Sequence, residues 1–329
     1  MQRMQKIELP KEIAETISAI ETKGYEAYVA AGAVRDLLLE RKPLDGEVIT
    51  NAPPEELLVI FPNDEVINVI FVDDIKEDLN HRDFTMDAIA YSPRTGFVDP
   101  FDGIHDIQSK LIRMIGDPLA RLPNDPIKMM RVMRLTAETG FDIHMQIYKV
   151  IYEKSELLKK VSTDEIRLEF EKLVVADFAG KGIKMLDGTG VIKYVLGDLA
   201  KKKSGFRKFE MLTERMGKSD NSKSIRLGLF YTCYDEESAS SAIERMNFDS
   251  ETNEKLKDAI TKMDAVNAVS NKLELKQLIA CLGMDRYKYL HELSRAQQVV
   301  YNLHDSKVTE RQAMIKELEA DGEPIFLEK

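Results

Sequence analysis

Three clusters along this chain carry residue types that bind or transfer phosphate. The first is Tyr28-Val-Ala-Ala-Gly32-Ala-Val-Arg35-Asp36, followed by Asp45-Gly46-Glu47. Tyr25 to Ala30 reads as a short apolar strand and Ala33 to Glu40 as a helix. Gly32 between them lets the backbone approach an anion at the helix N-terminus. Arg35, in the first turn, presents a planar fork to phosphate oxygens. Asp45 and Glu47 precede Val48-Ile49-Thr50, so a strand here projects both carboxylates from one face. Paired carboxylates are costly without a cation. Two magnesium ions roughly 3.5–4 Å apart would use them, one activating a hydroxyl and the other steadying a leaving pyrophosphate. Without the turn and helix before them, the same two acids describe a solvated turn after Lys42-Pro43.

The second cluster runs Glu77-Asp78-Leu79-Asn80-His81-Arg82-Asp83-Phe84-Thr85-Met86-Asp87-Ala88 and continues to Asp99-Pro100-Phe101-Asp102-Gly103. Arginine forks onto phosphate, and an acceptor-only carboxylate takes the donor hydrogens of ribose hydroxyls. The bland alternative for Arg82-Asp83 is an exposed ion pair worth little to stability. The third cluster is Asn124-Asp125-Pro126-Ile127-Lys128, followed by Arg131 and Arg134. A proline after Asp125 suits a helix start with Asp125 near the cap. Asp125 and Lys128 then share a face of the first turn and can meet one ligand; the alternative for Asp125 is an ordinary cap.

These motifs, in this order over about residues 25 to 200, resemble the bacterial class II tRNA nucleotidyltransferase and poly(A) polymerase family. The resemblance implies that Gly32, Arg35 and Asp36 hold the triphosphate region and that Asp45 and Glu47 are the catalytic metal ligands. It gives Arg82 and Asp83 the phosphates and ribose of the incoming nucleotide. Asp87 and the helix residues Asp125, Lys128, Arg131 and Arg134 complete the nucleotide-binding set. In the family, an aspartate and an arginine on that helix read the Watson–Crick edges of cytosine and adenine.

The chain departs from the family pattern at several of these positions. Lys128 stands where arginine is usual, and lysine is a compact, rotatable cation without the planar fork. A bidentate base contact is worth roughly 1–3 kcal/mol of discrimination by analogy with protein–DNA readout, so selectivity is expected to change. Glu47 replaces the second aspartate of the pair, Ala31 the first of two glycines, His81 an arginine, Asp87 an asparagine and Glu165 an arginine. Asp87 is expected to add a third carboxylate near the metals or to repel the triphosphate. His81 reads most simply as a surface histidine.

Elements that position these residues follow from periodicity. Up to about residue 116 short apolar strands (Tyr25 to Ala30, Val66 to Val72, Thr85 to Tyr91, Phe97-Val98) alternate with helices, an α/β head on a small mixed sheet. Beyond it the pattern is helical, as in the neck, body and tail of the family. The expected division is 1–116 for the nucleotidyltransferase head, 117–200 for a helical neck and body with nucleotide-base and RNA contacts, and 201–329 for a tail that by position would grip tRNA. Met129 and Met133 fall at core spacing on a helix ended by Gly140.

The 329 residues suffice for two or three cores. Two cysteines fit a reducing cytosol, and no stretch of 18 apolar residues points to a membrane. A net charge of −10 opposes RNA binding unless cations are concentrated, as in Lys201-Lys202-Lys203 with Arg207 and Lys208. Those lysines equally describe solvated helix faces, and Phe206 and Phe209 read as core residues.

Together these readings point to a magnesium-dependent, cytoplasmic enzyme that adds CMP and AMP from CTP and ATP to tRNA, with the oligomeric state open. The altered motifs keep other readings alive: a poly(A) polymerase-like or partial CC- or A-adding enzyme, or an impaired paralog that binds RNA or nucleotide without transfer.

Overall fold

A computed structural model describes residues 7–43, 46–62, 68–197, 206–303 and 307–321. Asp45, Lys201-Lys202-Lys203 and His304 lie outside the described residues, as does the side chain of Phe206. The chain forms two compact units, Met1–Arg121 with Phe141–Lys149, and Leu122–Gly140 with Val150–Lys329.

The first unit begins with α1 (Lys11–Thr22), β1 (Ala27–Ala30), α2 (Gly32–Leu38), β2 (Glu47–Thr50), α3 (Pro54–Ile60), β3 (Val69–Phe71) and α4 (Ile75–His81). A 3-10 turn over Thr85–Asp87 leads into β4 (Ala90–Ser92), then β5 (Gly96–Val98), α5 (Gly103–Gln108) and β6 (Leu111–Ile112). Five strands make one sheet in the order β3-β2-β1-β4-β5. It is mixed: β2 and β3 are parallel, while β1 pairs antiparallel with β2 and with β4. Central β1 is buried on both faces. Tyr28 and Ala30 join Ile49, Ile75, Leu79 and Ala90 in one apolar cluster. The alternate residues Ala27 and Val29 point the other way, the side with Ile13, Ile17 and Ile20 of α1 buried.

The expected strand over Thr85 to Tyr91 is instead a turn followed by a strand. Its cause is tertiary. Gly103 sits so close that an added Cβ would lie 2.1 Å from the Thr85 carbonyl oxygen, and Thr85 Oγ1 donates to buried Asp106 at 2.6 Å. The Asp99-Pro100-Phe101-Asp102-Gly103 stretch builds that contact. Asp99 accepts from the Gly103 and Ile104 amides at 2.7 and 3.0 Å, stapling the start of α5.

Between the units in sequence come α6 (Pro118–Asn124), α7 (Ile127–Thr139), β7 (Asp142–Ile143), which pairs with β6, and α8 (Met145–Lys154). The second unit is helical among its described residues. After a 3-10 turn over Ser155–Lys160 come α9 (Thr163–Val175), α10 (Ala179–Gly188), α11 (Ile192–Leu196), α12 (Phe206–Arg215), α13 (Lys223–Tyr231), α14 (Glu236–Met246), α15 (Ser250–Ala268), α16 (Lys272–Leu282), α17 (Met284–Tyr301) and α18 (Lys307–Asp321). Helix α7 packs against α9 and α10. Met129, Met130 and Met133 are fully buried, core residues as their spacing predicts. Gly182 allows the close crossing of α7 and α10, since a Cβ there would lie 2.8 Å from that of Ala137. Gly140, at φ +72°, ends α7 in the left-handed conformation. Phe209 is buried as expected. No helix among the described residues is long and apolar enough to cross a membrane.

Candidate functional site

The register of the head sheet brings the first two clusters together. Ala30, the last residue of β1, pairs with Glu47 on one side and Ala90 on the other. The chain turns at Ala31 directly into α2, so Glu47, the α2 N-terminus and the Thr85–Asp87 turn share one end of the sheet. Ala31 turns with φ 57° and ψ −136°, a combination that strains a residue carrying a Cβ. Gly32, by contrast, leaves open the space beside Arg35: a Cβ there would come 3.4 Å from Arg35 Nη2.

Each arginine expected to bind phosphate bridges two carboxylates. Arg35 donates from Nη1 to Asp87 at 2.8 Å and from Nη2 to Asp36 at 3.1 Å. Arg82 donates from Nη2 to Glu47 at 2.6 Å and to Asp78 at 2.7 Å. Burial lowers the Arg82 pKa, but bonds to Glu47 and Asp78 outweigh it and hold the guanidinium above its ordinary value. The acid at position 87 is thus compensated by Arg35, half-buried at the same turn. Asp83 receives Arg121 Nη2 at 3.3 Å, and Arg121 also donates to the Arg82 carbonyl at 3.2 Å. The segment is further tied by the Thr85 amide to the Arg113 carbonyl and the Ile115 amide to the Asp83 carbonyl, each at 3.0 Å.

A hard divalent cation takes carboxylate oxygens, and the donor chemistry here fits one. Glu47 contributes a carboxylate at the edge of a sheet end rich in acids and arginines. Among the described residues no three acids, histidines or cysteines converge as a ready metal cluster. Asp45, the other expected ligand, falls outside them.

The residues of α7 belong to the second unit. Lys128 Nζ lies 3.6 Å from Asp125 Oδ2, close enough for one ligand to meet both. The expected cap is otherwise: Pro126 occupies the N-cap position with no side-chain hydrogen bond, because α6 runs to Asn124 and leaves Asp125 in the bend between helices. Arg131 is half-buried. Arg134 donates to Glu169 at 2.7 Å and Glu138 at 2.6 Å; burial opposes its charge, and the two glutamates hold its pKa above the ordinary value. That pairing ties α7 to α9.

Glu165 likewise has a local task. It completes a capping box with Ser162, whose Oγ accepts from the Glu165 amide at 3.2 Å. His81 is exposed, its Nδ1 2.8 Å from the Glu77 carbonyl.

Two partners escaped the sequence reading. Asp78 had a signal, standing four residues before Arg82 on a helix. Arg121 had none, since its contact with Asp83 spans 38 residues.

A mixed five-stranded sheet with a glycine-started helix and acidic strand edge, joined to a long helical unit, defines the nucleotidyltransferase architecture with neck, body and tail. The family model "Poly A polymerase head domain" matches residues 27–71 and 64–113. "Probable RNA and SrmB- binding site of polymerase A" matches 140–203. The CCA-adding enzyme of Anoxybacillus flavithermus is 32% identical over 230 residues, covering 59% of this chain and 58% of that protein. That of Geobacillus thermodenitrificans is 34% identical over 226 residues, covering 58% and 56%. The chain thus matches less than two thirds of these relatives' length.

Among solved structures, the Bacillus stearothermophilus CCA-adding enzyme in complex with CTP superposes with TM-score 0.78 at 23% identity, over 94% of this chain and 82% of that one. The Thermotoga maritima CCA-adding enzyme complexed with tRNA(CCA) gives TM-score 0.66 at 19% identity, over 98% and 85%. Residues 27–113 thus match the poly(A) polymerase head family and residues 140–203 its RNA-binding model, and the fold is that of the solved CCA-adding enzymes.

Proposed function

We propose that this protein is a cytoplasmic RNA 3'-terminal nucleotidyltransferase that adds CMP and AMP, from CTP and ATP, to tRNA. The observation that carries the reading is the meeting of Glu47, Arg35 and Arg82 at one end of the head sheet, two phosphate-fitting guanidiniums beside a carboxylate. Arg82 and Arg35 bind the triphosphate oxygens, exchanging carboxylate partners for phosphate. Asp83, steadied by Arg121, accepts from the ribose hydroxyls. Asp45 and Glu47 hold the metal, and magnesium bound there supplies Lewis-acid neutralisation of the phosphate charge and lowers the pKa of the attacking hydroxyl. Family resemblance gives Asp125 and Lys128 the base, with Arg131 beside them. Most of the rate comes from positioning and charge neutralisation, as in phosphoryl transfer generally.

A second reading, an impaired paralog that binds without transfer, is favoured by the double carboxylate hold on each arginine. The two separate in one assay: incorporation of each ribonucleotide, with magnesium, into tRNAs lacking one, two or three terminal nucleotides. Ordered C, C, A addition, abolished by Asp45→Ala, is the expected result. Addition of A alone to any RNA would reassign the chain to poly(A) synthesis. Absence of incorporation by the unaltered protein overturns the transferase reading.

A further inference from the structure

Arg82 and Asp83 are neighbours in sequence, yet each side chain is held by a different part of the head. Arg82 follows α4 with extended backbone, φ −65° and ψ 159°. Extended backbone sends successive side chains to opposite sides, so the two need separate supports. Asp78, one turn earlier on α4, accepts from Arg82 Nε at 3.1 Å and from Nη2 at 2.7 Å. That grip fixes the plane of the guanidinium, and Glu47 takes Nη2 as well. Nη1 takes no hydrogen bond among the described residues, which leaves that corner of the fork for a ligand.

Asp83 is held from another direction. Its main chain is pinned first: the Ile115 amide donates to the Asp83 carbonyl at 3.0 Å, and Phe84 bridges to Met114. The chain then turns at Gly116, left-handed at φ +76°. Asp117 accepts from the Leu119 amide at 3.0 Å and starts α6. The turn carries Arg121 back over the segment just passed, and a Cβ on Gly116 would lie 3.5 Å from Arg121 Cδ. Arg121 Nη2 donates both to Asp83 Oδ1 at 3.3 Å and to the Arg82 carbonyl at 3.2 Å. One nitrogen thus fixes the carboxylate against its own main chain. The pair is largely buried, with side chains 25% and 17% exposed.

We propose that Arg121 is the positioning residue for ribose selection, holding the Asp83 carboxylate where the 2'-hydroxyl of the incoming nucleotide donates to it, while Asp78 separately aims Arg82 at the triphosphate. The inference rests on the function proposed above. A carboxylate ordered beforehand spares the nucleotide the cost of ordering it. A deoxyribose then leaves that half-buried acceptor without its partner, the circumstance in which a polar site discriminates most. The triphosphate is the same in both nucleotides, so the Asp78 grip on Arg82 carries no information about the sugar.

The test is calorimetric binding of CTP and dCTP, with magnesium, to the unaltered chain and to Arg121→Met, Arg121→Lys and Asp78→Ala, each first checked by thermal unfolding. Methionine keeps the length and helix preference of arginine and cannot donate, whereas lysine restores a donor. The unaltered chain should prefer CTP by about tenfold or more, the scale of one hydrogen bond to a charged group. Arg121→Met should cut that preference at least about fivefold, through weaker CTP binding with dCTP little changed, and Arg121→Lys should recover part of it. Asp78→Ala should weaken both nucleotides alike and keep the ratio. A ratio unchanged in Arg121→Met overturns the proposal and leaves its ion pair structural, since a loosened fold weakens both nucleotides together. An equal loss of ratio in Asp78→Ala also overturns it, as does an unaltered chain that does not prefer CTP. Because the readout is binding, a chain that selects ribose through Arg121 yet incorporates nothing would sink only the transferase reading.

Discussion

Replacing Glu47 by Gln removes one charge from the head site while keeping the side chain's shape and a carbonyl acceptor. Glu47 accepts from Arg82 at 2.6 Å, with each side chain 21% exposed. Arg82 keeps Asp78, which accepts from both Nε at 3.1 Å and Nη2 at 2.7 Å, so the guanidinium is not left unpaired. A surface pair is worth about 0.2–1 kcal/mol and a hydrogen bond to a charged group about 1.5–3. With the acceptor retained and Asp78 in place, the stability cost should be about 1 kcal/mol. That corresponds to a fall in Tm of about 2–4 °C for a domain of this size.

Catalysis should respond differently. Loss of one preorganised charge at a phosphoryl site costs about 10²–10³ in rate, by analogy with an oxyanion-hole donor. The measurement pairs CTP and ATP incorporation at saturating magnesium with thermal unfolding of the same preparation. A rate within threefold of the unaltered protein would falsify the assignment of Glu47 as a metal ligand. A stability loss above about 3 kcal/mol would show instead that the pair is chiefly structural.

Three further outcomes follow from the geometry. Ala31→Gly should stabilise the head by about 1 kcal/mol, the net of about 1–3 kcal/mol of strain relieved at φ 57° and the greater freedom of glycine in the unfolded chain; a lowered urea midpoint would contradict it. His291 is buried, and desolvation holds its pKa below the ordinary value against the opposing pull of the Val308 carbonyl. Its unfolded form therefore binds a proton first, so stability is level above about pH 6.5 and declines below it by up to about 1.4 kcal/mol per unit. His291→Gln should flatten that decline in urea midpoints taken between pH 5 and 8, and an identical slope would count against it. Cys281 is exposed while Cys233 is buried, its thiol pushed up to about 11 by desolvation. Iodoacetamide at pH 8 should modify one cysteine in the native protein and two after unfolding; rapid labelling of both would mean that the Cys233 surroundings open readily.

Much of the fold was legible because periodicity and punctuation report local structure. Gly140 ends its helix in the left-handed conformation, and the methionines of α7 are core, both as the spacing predicts. The head's first cluster was legible because a strand, a small-residue turn and a helix are contiguous. Where the reading missed, the cause was a contact between distant residues. Thr85 to Tyr91 reads as one strand because it runs into the apolar Ala88-Ile89-Ala90-Tyr91, yet the contacts of Gly103 and Asp106 with Thr85 accompany a 3-10 turn over its first three residues. Asp125 looked like a cap until α6 extended to its neighbour.

Residue types and spacing single out the groups whose chemistry suits phosphate and metal, Gly32, Arg35, Asp45, Glu47 and Arg82. Tertiary structure decided what each charge touches. It gave Asp87 to Arg35, Glu47 to Arg82, Arg121 to Asp83 and Arg134 to Glu169, and it turned Glu165 from an apparent departure into a helix cap. Except for the cap, these pairings span 35 to 52 residues. Side-chain periodicity reaches only one turn of helix or one strand pair, so no local pattern encodes them; sheet register and helix packing do.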